Sequence, residues 1–105
     1  MTGRNPVDPM TEQQLARTVV VTNPQGLHAR PADLFVKTAV QFQSTIEVIK
    51  DGERVDGKSI LAILTLAAVA GTQLQIVATG PDAEAALGAL VELIAQNFAE
   101  NEIQK

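Results

Sequence analysis

Thr45-Ile46-Glu47-Val48-Ile49-Lys50-Asp51-Gly52-Glu53-Arg54-Val55-Asp56 is the stretch that sets the architecture of this chain. Residues 45–50 alternate, with Ile46 and Val48 facing inward. Asp51-Gly52 is the dipeptide that closes two-residue hairpins, and Glu53–Asp56 returns as a short strand. A hairpin makes antiparallel neighbours, so the sheet it belongs to follows an antiparallel plan.

Upstream, Leu15–Thr22 is β-branched at its end and reads as a strand with Val19 and Val21 on one face. Asn23-Pro24-Gln25-Gly26 reads as a turn. From Ala29 to about Phe42 the apolar residues Ala32, Phe35, Val36, Ala39 and Phe42 recur at spacings of three and four, which is one buried helical stripe. Pro31 suits a first turn, where its missing N–H has no helical partner.

Downstream, Ser59 reads as the N-cap of a short helix from Ile60 to about Ala68. Gly71 ends that region. Thr72–Thr79 alternates, with Leu74, Ile76 and Ala78 on one face. Gly80-Pro81-Asp82 opens the last helix, with Asp82 and Glu84 favourable to its dipole. Its stripe runs through Ala83, Leu87, Leu90, Val91, Ile94 and Phe98. The element order is βαββαβα. One apolar face per strand and one stripe per helix imply two layers, an α+β fold with helices on one face of a small antiparallel sheet.

Residues 1–14 are polar, hold Pro6 and Pro9, and read as a flexible extension before a single domain over 15–105. Met1 and Met10 both stand as starts. Hydrophobic residues make up 46% of the chain and aromatics only 3%, so the core must be aliphatic and Ala-rich. A net charge of -4 argues against non-specific binding to nucleic acid or anionic membrane. With no Cys and one His, neither a disulfide nor a metal site is expected, and no cofactor is called for. The chain has no run of transmembrane length and no signal-like segment, which makes the cytoplasm the expected location.

Chemistry concentrates in Gly26-Leu27-His28-Ala29-Arg30-Pro31, which holds the single histidine at a helix entrance. Unpaired N–H groups and the positive end of the helix dipole favour an anion there. Arg30 adds a planar cation suited to phosphate oxygens. Neutral imidazole has a free nitrogen for attack on phosphorus at neutral pH. A side chain that becomes negative by accepting a phosphoryl group fits this setting.

Gly26-Leu27-His28-Ala29-Arg30-Pro31-Ala32, followed by Gly57-Lys58-Ser59-Ile60-Leu61 and Ala78-Thr79-Gly80, resembles HPr, the histidine-containing phosphocarrier family of the bacterial phosphoenolpyruvate:sugar phosphotransferase system. The resemblance spans roughly Leu15 to Phe98. It implies an open-faced β-sandwich, with four antiparallel strands in the order 1-4-2-3 and three helices on one face. It also implies that enzyme I phosphorylates His28 on Nδ1, that Arg30 is its charge partner, and that an enzyme IIA takes the phosphoryl group on. Such a protein is a phosphoryl carrier and not an independent enzyme. In the family one face serves both partners, so a monomer is expected.

In some members the matching serine is phosphorylated by a regulatory kinase, which makes Ser59 a candidate phosphoserine and a serine kinase or phosphatase a candidate partner. The flanking Ile60-Leu61-Ala62-Ile63-Leu64 departs from the pattern of the regulated proteins, and a plain helix cap stands beside that reading. The second helix also has too many large apolar groups for one stripe. Ile63 and Leu66 suit the core, which leaves Leu61 and Leu64 partly exposed, with Leu34 and Val40 similarly placed. With Ile60 they form an expected docking patch near His28.

Two other readings stay open. The 59–64 segment and Ala78-Thr79-Gly80-Pro81 resemble the nitrogen-related regulatory branch of the family. A binding module whose phosphorylation state governs its grip on a target would use the same patch. An enzyme with His28 as general base lacks a nameable second group.

Overall fold

A computed structural model describes residues 13–99, and the expected extension lies outside the described residues except for Gln13 and Gln14. The chain runs β1 (Gln14–Val20), α1 (Ala29–Ala39), β2 (Thr45–Lys50), β3 (Glu53–Asp56), α2 (Ile60–Thr65), β4 (Gln73–Thr79) and α3 (Ala83–Ala95), then a 3-10 turn, Asn97–Ala99. The four strands form one sheet in the order β1-β4-β2-β3, every neighbouring pair antiparallel. This is the expected open-faced sandwich.

The hairpin forms as its sequence dictates. Asp51 and Gly52 have φ of 50° and 85°, and positive φ at both central residues matches the right-handed twist of the flanking strands. Register then fixes the core face. Val48 lies opposite Ile76 and Ile46 opposite Ala78, and all four are buried beneath the helices with Leu74. From the helical layer come Ala32, Phe35, Ile63, Leu66, Leu87 and Leu90.

Three helix ends fall elsewhere than the periodicity predicts, and β1 stops at Val20 instead of Thr22. α1 stops at Ala39 instead of about Phe42, and the amides of Gln41 and Phe42 bond three residues back, to Thr38 and Ala39, as tightened turns. α2 stops at Thr65 instead of about Ala68, because Ala67 takes φ 52° and turns the chain away. Lys50 Nζ closes that end by donating to the Leu66 carbonyl at 2.8 Å. Phe98 does not continue the α3 stripe. The helix ends at Ala95, and Asn97 and Phe98, with φ of 54° and 60°, swing the Phe98 ring into the core, where it is fully buried.

Asp82 stands at the head of α3, where an acid was expected to suit the dipole, and it also has partners far away in sequence. It occupies the N-cap of α3 but makes no side-chain cap bond to that helix. Its carboxylate instead accepts from the Ser44 hydroxyl at 2.6 Å and from the amides of Ser44 and Gln43, both at 2.9 Å, which ties the α1–β2 loop to the start of α3. The Ser44 hydroxyl first, then the Gln43 amide, hold its carboxyl below the ordinary value. A depressed folded-state pKa stabilises the fold above the unfolded-state value of about 3.9, and that stability is lost as pH falls through the folded-state value. Asp82→Ala is therefore expected to lower the thermal midpoint at neutral pH and to flatten the loss of stability below about pH 4. Melting curves of both proteins from pH 7 to 2 check this.

Candidate functional site

The loop between β1 and α1 is held by backbone geometry that only a few residues can adopt. Gly26 has φ +72°, and a Cβ on it would lie 2.4 Å from the Ala68 carbonyl oxygen and 2.8 Å from Val69 Cα. A side chain there would collide with backbone. This close approach lets Leu27 donate its amide to Ala68 at 2.8 Å, and it brings the segment after α2 against the loop.

His28 follows as the N-cap of α1, in extended conformation with φ -83° and ψ -168°. Its carbonyl accepts the first helical bond, from Ala32 at 3.0 Å, and its own amide donates to Gly26 at 3.0 Å. The imidazole is half-buried and does not cap its own helix. By helical geometry the N–H groups of Ala29 and Arg30 have no partner within α1, and Pro31 has none to offer. The first turn carries no acidic side chain, and the nearest acid along the helix, Asp33, is paired with Lys37 at 3.1 Å. Arg30 is exposed on the same turn. The helix mouth thus has amide donors and the dipole beside the His28 N-cap, with the exposed Arg30 in the same turn and no carboxylate in that turn to oppose an anion. Such a site can position and charge-stabilise a phosphoryl group. The described residues hold no cluster of acids and histidine suited to a metal.

Ser59 is the N-cap of α2, and its Oγ accepts from the Ala62 amide at 3.2 Å. Ser59→Ala is expected to cost about 1 kcal/mol, a drop of about 4–8 °C in the thermal midpoint, as calorimetry would show.

The expected patch divides. Leu61 is 72% exposed and Val40 55%, whereas Leu34, Ile60 and Leu64 are half-buried against the core. Val40 caps the far end of α1, about 18 Å along the helix axis from His28 at 1.5 Å per residue, so it does not adjoin the histidine. The sequence reading missed Val69, 65% exposed on the segment that touches Gly26, and so beside the His28 loop. The short α2 and the left-handed Ala67 put it there, and neither is marked in the sequence. Among the described residues no helix is long and apolar enough to cross a membrane.

A family model described as the PTS HPr component phosphorylation site matches residues 15–96. The phosphocarrier protein HPr of Treponema pallidum is 43% identical over 86 residues, which is 82% of this chain and 98% of that protein. A multiphosphoryl transfer protein of Salmonella typhimurium is 38% identical over 96 residues, 89% of this chain and 26% of that protein. A crystal structure of HPr from Thermoanaerobacter tengcongensis superposes with a TM-score of 0.80 at 45% identity, covering 82% of this chain and 97% of that one. With the strand order, the helix-entrance histidine and the matched length in agreement, this chain belongs to the HPr family of phosphocarrier proteins of the phosphotransferase system.

Proposed function

We propose that this chain relays a phosphoryl group on His28 from phospho-enzyme I to an enzyme IIA, as a cytoplasmic monomer. The observation that carries the reading is His28 at the N-cap of α1, above a first turn with backbone donors and no acid. The lone pair of the neutral ring's Nδ1 forms the bond to phosphorus. The donor's bond to phosphorus breaks, its electron pair returning to the donor, and a proton on Nε2 stays where it is. Arg30 and the Ala29 and Arg30 amides hold the phosphoryl oxygens. Transfer to the next protein is the same step reversed, so the carrier needs no acid or base of its own.

We assign the exposed Leu61 and Val69, with half-buried Leu64, to an apolar contact surface for a partner that covers His28 and excludes water during transfer. Ser59 acts as the cap of α2. A phosphoryl group on it would add a dianion beside this surface and oppose an acidic partner.

The test follows labelled phosphate from phosphoenolpyruvate through enzyme I and this chain to an enzyme IIA of the sugar-specific type and, in parallel, of the nitrogen-related type. Transfer to the sugar-type protein is expected. Label that reaches this chain and moves only to the nitrogen-type protein assigns it to the regulatory branch. Label that reaches it and moves to neither makes it a binding module.

A further inference from the structure

The side chain of Asn23 is 1% exposed, and its Nδ2 donates to the Gly26 carbonyl at 2.7 Å. Two further bonds close the same turn. The Gly26 amide donates to the Asn23 carbonyl at 3.0 Å, and the His28 amide donates to the Gly26 carbonyl, also at 3.0 Å. The Gly26 oxygen therefore receives both the buried amide of Asn23 and the backbone amide of the proposed phosphoacceptor. Nδ2 must be the atom facing Gly26, because the alternative sets two oxygens against each other. That leaves Oδ1 buried with no partner among the described residues. An orphaned buried acceptor opposes stability, so a residue chosen for stability alone would not place it there.

We infer that Asn23 is a positioning residue for phosphoryl transfer: its amide holds the Gly26 carbonyl turned into the protein and thereby fixes the His28 backbone. This rests on the carrier reading of His28. The electrostatic reason is direct. A carbonyl oxygen two residues before the acceptor would repel a phosphoryl dianion if it swung toward the helix mouth. Clamped inward by two N–H donors, it leaves the mouth to the donors of α1. The clamp also fixes where the imidazole projects, and small displacements of a reacting group slow transfer steeply.

The experiment compares wild type with Asn23→Ala and Asn23→Ser, measuring saturation kinetics of phosphorylation by phospho-enzyme I and thermal midpoints. Alanine removes the orphaned acceptor together with the donor, so its midpoint is expected to stay within about 5 °C of wild type. Its kcat is expected to fall about tenfold with KM changed less than about twofold, since docking is untouched. Serine keeps a short local donor and is expected to recover part of the rate. An alanine variant with kcat within about twofold of wild type overturns the inference. So does a rate loss shared equally by alanine and serine and explained by the unfolded fraction. Failure of the wild-type chain to accept phosphate on His28 is read first and overturns the carrier proposal instead.

Discussion

Gly26→Ala is expected to destabilise the protein by about 2–5 kcal/mol and to slow phosphoryl acceptance in the fraction that stays folded. Two costs combine. A residue with a Cβ held at φ +72° loses about 1–2 kcal/mol relative to glycine. The new methyl would also lie 2.4 Å from the Ala68 oxygen, against backbone that cannot rotate away, and forced overpacking typically costs about 1–3 kcal/mol. Relief requires the loop and the 67–69 segment to part, which breaks the Leu27–Ala68 bond and moves His28. Urea titration should show the lower midpoint with an unchanged slope, and kinetics with phospho-enzyme I should show the slower step. A variant as stable as wild type would mean that the loop and the segment after α2 are not packed as described.

Phe98→Ala is expected to cost about 3–5 kcal/mol, the range for emptying a fully buried aromatic site. The effect should exceed that of any surface substitution, although Phe98 lies outside regular helix and strand. Two consecutive left-handed residues, Asn97 and Phe98, hold the ring in place. They are themselves fastened to the β1–α1 loop, where the Thr22 hydroxyl bonds to the Asn97 side chain. Loss of the ring should therefore loosen the end of α3 and the approach to His28 together. Amide hydrogen exchange would show faster exchange over 91–97 and at 21–27. Stability within about 1 kcal/mol of wild type would place the ring outside the core.

Local chemistry explains which features the sequence displays. Asp51-Gly52 has one favoured geometry between alternating strands, and it forms. The α1 stripe and the Ser59 cap have periods and partners within a few residues, so they too are legible. His28 could be placed at a helix mouth because a turn precedes it and Pro31 follows. What escaped prediction depends on distant partners. Asp82 is legible as an acid at the head of its own helix, and only the fold brings Ser44 and Gln43 into its reach. Ala67 and Phe98 carry no mark of left-handed backbone, so the local pattern predicts a longer α2 and α3. For the same reason the exposure of Val69 and the bond from Asn23 to Gly26 leave no sign in the local sequence.

The central claim is that a phosphoryl group is carried on the imidazole at the mouth of α1. Incubation with phosphoenolpyruvate and enzyme I, followed by peptide mapping under alkaline conditions, tests it most directly. One phosphoryl group on His28, stable in base, lost in acid and absent from His28→Ala, is the predicted result. Equal labelling of His28→Ala, or an acid-stable adduct mapped elsewhere, would contradict it.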